Sequence, residues 1–311
     1  MRAILAVLLL SAISINAYTQ ACCCTGAGAN YSILPNLNKH VLGMRYTYKN
    51  YFSETHSLNP ELDGTVTNQY LNSVEIFGRF NLIDRLQLSV FMPVSFIRQS
   101  TDKGATDKTA GLGDMSFLLQ YNLLNPLKCD GKKAKHQLRL GVGTKLPTGE
   151  FNMTANDLFS TNLQLGTGSI DFMANAIYTF RFNGFGFNTS ASYKFNTTNN
   201  KGYRFGDKAQ TGMSFFYVFD VKEIQLMPNI GFNYEHQFSN KKDGRTLGFT
   251  GGDFLSASVG FDVYYKQFAF SSSASPAVMN KLNWNGENKN KFGIEAGVFY
   301  NFSTNSKIKN N

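Results

Sequence analysis

Alternation of side chains along the segment Phe292–Phe302 constrains the fold of this chain more than any other feature. Every second residue is apolar, and the residues between them are mostly small or polar. The apolar positions are Phe292, Ile294, Ala296, Val298, Tyr300 and Phe302. In an extended strand these two sets point to opposite faces, one suited to lipid or a core and the other to water. We interpret the segment as the closing strand of an outer-membrane β-barrel.

The same period of two recurs in eleven further segments, from Leu42 to Ala274. In one of them, Leu86, Leu88 and Val90 alternate with Gln87 and Ser89. We therefore predict an all-β fold, a closed antiparallel transmembrane β-barrel of about twelve strands, which is an even number within the range of such barrels. Pro93 and Pro228 fall inside predicted strands, and because proline lacks an N–H group we expect bulges or breaks there.

Charged residues within the predicted strands lie almost entirely on the polar face. The candidates for lining the lumen are Arg45, Glu75, Arg79, Asp114, Arg139, Lys145, Asp171, Arg181, Glu235, Asp262 and Glu295. A charge on the lipid face near the bilayer centre costs about 2–4 kcal/mol. The core of a soluble sandwich excludes charge for a similar reason, so this pattern alone does not select a membrane.

Aromatic residues and connection lengths do favour a membrane. Tyrosine and phenylalanine crowd the ends of the apolar faces, as interfacial girdles require. Short connections are predicted at Leu82–Arg85, Asn183–Gly184, Asp220–Glu223 and Tyr265–Gln267. Longer ones are predicted at Ser53–Thr65, Gln99–Ala110, Thr148–Gly168, Asn199–Asp207, Ser239–Gly252 and Asn280–Asn290. Short periplasmic turns and long extracellular loops are typical of outer-membrane barrels, and the strand count places both termini in the periplasm.

The chain divides into four predicted parts. Residues 1–20 form a signal peptide, with Arg2 before an apolar stretch too short to span a membrane. Residues 21–38 form a cysteine-rich periplasmic lead-in, residues 39–302 the transmembrane barrel, and residues 303–311 a polar tail. The mature protein is expected to leave the cytoplasm for the bacterial outer membrane.

Three adjacent cysteines, Cys22, Cys23 and Cys24, open the mature chain, and Cys129 lies in a predicted periplasmic turn. One interpretation is a disulfide between Cys129 and one of the three in an oxidising compartment. A second is a metal site formed by Cys22, Cys23 and Cys24, although adjacent cysteines lack the usual C-x-x-C spacing. A third is lipidation of Cys22, although Thr19-Gln20-Ala21 is a poor lipidation signal.

Composition limits the classes of function. The net charge of +9 is scattered through loops and one strand face instead of forming a basic stripe, which argues against nucleic acid as a partner. Lipid and lipopolysaccharide headgroups are better partners for that charge, and a plain effect on solubility explains it equally well. The four histidines are dispersed and form no metal or catalytic spacing, so we expect neither an enzyme nor a cofactor. His236 and Ser239 are the nearest approach to a catalytic pair.

Three glycine-containing clusters resemble a known family. They are Gly111-Leu112-Gly113-Asp114, Leu146-Pro147-Thr148-Gly149 and Gly166-Thr167-Gly168-Ser169. In this order they are similar to the outer-membrane transporters grouped as the meta-pathway phenol-degradation family, over roughly Leu42 to Phe302. The resemblance implies a monomeric barrel that passes small, often apolar or aromatic, compounds. The glycines also have a structural explanation, because they permit bends at strand ends, and Asp114 beside them is expected to pair with Arg139 or Arg79.

Two classes of function follow from these observations. The first is a channel for passive passage of small solutes, in which a ring of mixed charge selects by field or shape. The second is a non-transporting barrel, a scaffold or adhesin whose interior charges pair with one another, or a metal-handling envelope protein that uses the N-terminal cysteines. The state of the interior, open or packed, distinguishes the first class from the second.

Overall fold

The fold is a closed antiparallel β-barrel of twelve main strands, as predicted from the alternating pattern. The computed structural model describes residues 40–55, 65–104, 106–124, 134–151, 164–248, 250–282 and 288–303. The predicted signal peptide, the lead-in with Cys22–Cys24, Cys129 and nearly all of the tail lie outside the described residues. Within those residues, no helix is long and apolar enough to cross a membrane.

The barrel is built from strands that correspond one for one to the twelve predicted segments. They are β1 (His40–Thr55), β2 (Thr65–Ile83), β3 (Leu86–Thr101), β5 (Ser116–Leu124), β6 (Ala134–Lys145), β7 (Asp171–Phe182), β8 (Phe185–Phe195), β10 (Lys208–Tyr217), β12 (Ile224–Gln237), β15 (Gly252–Tyr265), β16 (Phe268–Lys281) and β17 (Asn288–Phe302). Short strands extend or decorate them: β4 (Thr106–Leu112), β9 (Tyr203–Arg204), β11 (Phe219–Val221), β13 (Lys241–Lys242) and β14 (Arg245–Thr246).

A seam between the first and last strands closes the ring. β1 pairs with β17 from His40 opposite Phe302 to Ser53 opposite Asn288, with one irregularity after Asn50. On its other edge β1 pairs with β2 without interruption. The predicted closing strand Phe292–Phe302 therefore does close the barrel, and the structure extends it by four residues to Asn288.

Burial alternates along the strands in the sense that the sequence predicts. Leu42, Met44 and Ile76 are exposed on the outer surface, whereas their neighbours Arg45 and Glu75 are buried. Since a single-layered barrel has only two faces, the buried set faces the interior and the exposed apolar set faces the bilayer. Exposed aromatics also gather where the turns are short, at Phe182, Phe185, Tyr217, Phe219, Tyr265, Phe268 and Tyr300. They occupy the place of an interfacial girdle.

The two rims of the barrel differ as predicted. The short-turn rim carries two-residue turns at 84–85, 183–184, 222–223 and 266–267. Asn183, Lys222 and Lys266 have φ near +55° there, the left-handed conformation that tight hairpin turns need. The opposite rim, which we name the long-loop rim, carries the longer connections. Three of these are more ordered than predicted. β3 and β4 extend into Gln99–Ala110, and β9 from Asn199–Asp207 forms a small separate sheet with β13 and β14 from Ser239–Gly252.

The two prolines at which breaks were predicted, Pro93 and Pro228, each face a break in the neighbouring strand. Opposite Pro93, the neighbouring strand is interrupted between β4 and β5. In this gap the Gly113 N–H donates to the Pro93 carbonyl at 2.8 Å. Opposite Pro228, the partner is interrupted between β10 and β11. The expected defect therefore lies beside each proline and not in its own strand, because the ladder bond that proline cannot donate is lost by its neighbour.

The barrel interior as candidate functional site

The interior surface holds the charged residues that the sequence analysis selected. Seven of the eleven are buried: Arg45, Glu75, Arg79, Asp114, Arg139, Lys145 and Asp171. The remaining four, Arg181, Glu235, Asp262 and Glu295, are half-buried at alternating positions of their own strands. The structure does not gather them into one ring. It distributes them among separate groups at different heights, each with its own partners.

One group of ion pairs joins neighbouring strands partway along the barrel. The Arg45 guanidinium on β1 donates to Glu75 on β2 at 2.7 Å and lies 3.9 Å from Glu295 on β17. Arg45 is opposite Glu75 in the β1–β2 register, so the pair follows directly from the pairing of the strands. Across the barrel, Lys208 lies 2.5 Å from Glu235. These charges neutralise each other within the wall.

A second group forms a buried polar knot at the long-loop ends of β5, β6 and β7. Lys145 Nζ lies 2.5 Å from Asp114 Oδ2 and 2.8 Å from Asp171 Oδ2. The contact with Asp171 is an ion pair, but its angles do not meet the criteria for a hydrogen bond. Lys145 also contacts the Thr167 hydroxyl. Backbone N–H groups of Gly149 and Thr167 donate to Asp114 at 3.0 and 2.9 Å. Two carboxylates and one ammonium are thus held by both charge and backbone donors.

The three glycine clusters that carry the family resemblance meet in this knot. A Cβ atom on Gly166 would lie 2.5 Å from the Gly149 carbonyl oxygen and 2.5 Å from Asp114 Oδ1. A Cβ on Gly149 would lie 2.8 Å from Gly166 Cα. The glycines are therefore required because two backbone segments cross in contact here. The knot fixes both ends of the connection between β6 and β7.

The predicted pairing of Asp114 with Arg139 or Arg79 is wrong. Asp114 pairs with Lys145, while Arg139 lies opposite Asn122, six residues further along the β5–β6 ladder. At about 3.3 Å per residue this separates the two levels by about 20 Å along the strand. The acidic residue is near the long-loop rim and both arginines are nearer the short-turn rim, which the sequence pattern does not reveal.

An apolar layer lies inside the barrel toward the short-turn rim. Its buried members are Val41, Phe77, Phe91, Leu118, Phe216, Val218, Met227, Tyr264, Ala269 and Phe299, and Met173 packs against them. The rings of Phe77 and Phe91 are 6.0 Å apart, and those of Phe77 and Phe299 are 5.4 Å apart. These residues come from strands all around the barrel, so the layer extends across the interior.

Two arginines, Arg79 and Arg139, are buried at inward positions, and neither forms an ion pair with an acidic side chain within the described residues. Arg139 is 1% exposed and Arg79 is 4% exposed. Nε and Nη2 of each guanidinium make no hydrogen bond within the described residues. Arg79 lies near enough to Arg139 for their charges to repel. Together they place two neighbouring positive charges in the described interior.

The remaining candidates have local partners. Asp262 accepts a hydrogen bond from the Asn229 amide at 3.2 Å, and Arg181 Nε donates to the Asn183 carbonyl in the adjoining turn at 2.9 Å. His236 lies 2.8 Å from Asp253, whereas the Ser239 hydroxyl donates to the Thr250 carbonyl. His236 and Ser239 therefore do not form a pair. No cluster of three metal-ligating side chains occurs within the described residues.

The apolar layer and the partners in the polar knot were not predicted from the sequence. Phe77 and Phe216 were visible as apolar exceptions on polar faces, so a search for such exceptions would have found part of the layer. Thr167 and Thr197 belong to loops, and their N–H contacts with Asp114 and Asp171 carry no signal in a strand pattern.

Taken together, the closed ring, the lipid-facing apolar bands and the mixed interior define an outer-membrane β-barrel of channel-like architecture. The family described as "Putative MetA-pathway of phenol degradation" matches residues 47–310. The chain therefore belongs to this family, which confirms the resemblance drawn from the glycine clusters.

The fold is similar to that of one solved outer membrane channel, and a second barrel resembles it more distantly. An outer membrane channel from Pseudomonas putida F1 is similar with a TM-score of 0.64 and 15% identity, over 88% of this chain and 99% of that one. The β domain of the Bordetella autotransporter BrkA is similar with a TM-score of 0.49 and 10% identity, over 85% of this chain and 100% of that one. At 15% identity the likeness to the Pseudomonas channel is one of fold alone. No curated protein sequence matches the chain.

Proposed function

We propose that the protein is a passive outer-membrane channel for small apolar or aromatic solutes. The observation that carries this proposal is the apolar layer inside the barrel. The interior of a pore for hydrophilic solutes is polar and filled with water. Here Phe77, Phe91, Phe216 and Phe299 place aromatic rings on the inner surface instead. An uncharged aromatic solute that enters the barrel therefore contacts aromatic side chains.

The layer also supports selection among solutes. Aromatic rings prefer offset or edge-to-face contact at centroid distances of about 4.5–7 Å, and the rings of the layer already meet one another in this range. A flat apolar solute can replace these ring–ring contacts with similar contacts of its own. A sugar in the same layer would have hydroxyl groups without hydrogen-bond partners. Passage further requires that binding be weak enough for release. The family membership agrees with this class of solute.

Flux measurements test the proposal. We expect full-length protein in vesicles with lipopolysaccharide in the outer leaflet to raise the entry of labelled toluene well above that of empty vesicles, with much less effect on arabinose. Lipopolysaccharide is needed because a plain phospholipid bilayer passes toluene by itself. Equal rates with and without protein for both solutes would reject a channel.

Phe91 offers a sharper test of the apolar layer. We expect Phe91→Ala to reduce the ratio of toluene to arabinose entry several-fold, because it removes a ring from the layer and leaves room for water. Phe96→Ala is the matched control, since Phe96 lies on the same strand but faces outward, 48% exposed against 5% for Phe91. A ratio that changes equally in both variants would contradict a role for the layer in selection.

The orientation in the membrane is part of the proposal. We place the short-turn rim and both termini in the periplasm, as the lengths of the connections favour. Trypsin added to intact cells is then expected to cleave at Lys241 or Arg245, which are exposed in the small sheet at the long-loop rim. Cleavage there only after the outer membrane is opened would reverse the orientation. Lipid and lipopolysaccharide are the expected surroundings, and a monomer is the expected state.

A non-transporting scaffold is the second candidate function. The dense burial of the interior favours it, since Arg45, Glu75, Lys145 and Asp171 are all enclosed and paired. Under this hypothesis the apolar layer is a plug, and neither toluene nor arabinose enters faster with protein than without. The flux experiment therefore separates the two candidates.

A further inference from the structure

We propose that Arg79 and Arg139 form an anion subsite beside the apolar layer, and that the solutes handled by the barrel include small aromatic carboxylates. This inference rests on the proposed function and narrows its solute class. It follows from three observations of the interior: the free edges of the two guanidinium groups, the engagement of the acidic residues elsewhere, and the proximity of the aromatic rings.

The free edges of the two guanidinium groups match a carboxylate. Nε and Nη2 lie on the same side of a guanidinium, and in both Arg79 and Arg139 these are the atoms without a hydrogen bond. Their N–H groups are parallel and fit two carboxylate oxygens at once. The same edge is free in both residues, although they stand on different strands, β2 and β6.

Burial makes the lack of partners significant. A charged group removed from water requires compensation by an opposite charge or by hydrogen bonds. Arg79 and Arg139 are both more than nine-tenths buried, and the charge of one acts unfavourably on the other. A bound anion between them would satisfy the free N–H groups and offset the repulsion at the same time.

The acidic residues of the interior are engaged elsewhere. Glu75 and Glu295 lie beside Arg45, Asp114 and Asp171 beside Lys145, and Glu235 beside Lys208. Asp262 accepts its hydrogen bond from Asn229. Among the inward-facing carboxylates that the sequence analysis selected, none forms an ion pair with either arginine. The compensating charge is therefore expected to come from a solute.

The surroundings of the arginines specify the rest of the solute. In the β2 strand Arg79 is two residues from Phe77, which stacks on Phe91 at 6.0 Å. Arg79 also lies within electrostatic range of Tyr264, another member of the apolar layer. A ligand that binds both features needs a planar anionic group attached to an apolar ring. Benzoate is the simplest compound of this class.

Equilibrium dialysis of detergent-purified full-length protein with labelled benzoate, at a pH where benzoate is ionised, tests the subsite. Benzyl alcohol, which has the same ring and no charge, is the reference ligand. We expect benzoate to bind at least tenfold more tightly than benzyl alcohol, and chloride at high concentration to weaken benzoate alone. Arg79→Gln and Arg139→Gln are each expected to weaken benzoate binding about tenfold and to change benzyl alcohol binding less than twofold.

Arg181→Gln is the matched control, because it removes one positive charge from the same half of the barrel but leaves the pair intact. Equal binding of benzoate and benzyl alcohol by the unaltered protein would overturn the inference, even if the two variants failed to fold. So would an equal loss of benzoate binding in Arg181→Gln. Dialysis measures binding and does not require passage through the barrel. If the protein binds benzoate but passes no toluene, the subsite proposal stands and the channel proposal is rejected.

Discussion

Replacing Lys145 with methionine is expected to lower the free energy of unfolding by about 3–5 kcal/mol, the range for removing one partner of a buried ion pair. Lys145 stands between Asp114 and Asp171, at 2.5 and 2.8 Å, and all three are buried. Without the ammonium, two carboxylates face each other away from water. Denaturant titration of the protein refolded in detergent or vesicles measures the change.

Lys194→Met is the control for this prediction. Lys194 lies on β8, half-buried, opposite Met173 of β7 and close to the level of the polar knot, but it forms no ion pair within the described residues. We expect a change of less than about 1 kcal/mol there. Adding Asp171→Asn to Lys145→Met should recover part of the loss, because it removes one of the two stranded charges. Independent, additive effects of the two substitutions would contradict a coupled knot.

A methyl group on Gly166 is expected to destabilise the barrel by an amount at the upper end of the ~1–3 kcal/mol typical of overpacking. The new Cβ would lie 2.5 Å from the Gly149 carbonyl oxygen, which belongs to the backbone and has no side-chain rotation by which to give way. Gly166→Ala should therefore displace one crossing segment and loosen the hold of Asp114. Denaturant titration again gives the magnitude.

Gly248→Ala is the matched control, because a Cβ there would meet nothing within 4 Å. Its effect is expected to be close to zero. If both glycine variants behaved alike, the close crossing of Gly149 and Gly166 would not be important for stability. If Gly166→Ala destabilised the protein without changing solute selection, the glycine clusters would be structural elements, as their contacts indicate.

The strand pattern predicts the architecture well because a barrel obeys a strict rule at each residue. A residue faces either lipid or the interior, and a shift of one position exchanges the two faces. An apolar residue such as Leu42 and a charged residue such as Arg45 on the same strand therefore show which positions face lipid. The identity of all twelve strands and the four short turns follows from this rule. Segments such as β13 and β14 escape it because they lie beyond the membrane, where neither face meets lipid.

The contents of the interior are harder to predict, since strand pairing sets the height of each residue only after the barrel closes. Asp114 and Arg139 both fall on polar faces, but the register of β5 and β6 places them far apart. Thr167 reaches Asp114 through a loop contact with a sequence separation of 53 residues. Interactions of this kind depend on several strand registers at once, and no single stretch of sequence contains them.

The seam between β1 and β17 has a consequence for how the protein enters the membrane. Almost the whole described chain separates His40 from its partner Phe302. The junction between β1 and β17 therefore cannot form until β17, the last strand, has been synthesised. Until it forms, two strand edges present bare N–H and carbonyl groups, and in hydrocarbon each such group costs several kcal/mol. Insertion of a partly built sheet is therefore strongly unfavourable. We therefore expect the ring to complete its junction during or before entry, so that insertion of this barrel depends on its final strand.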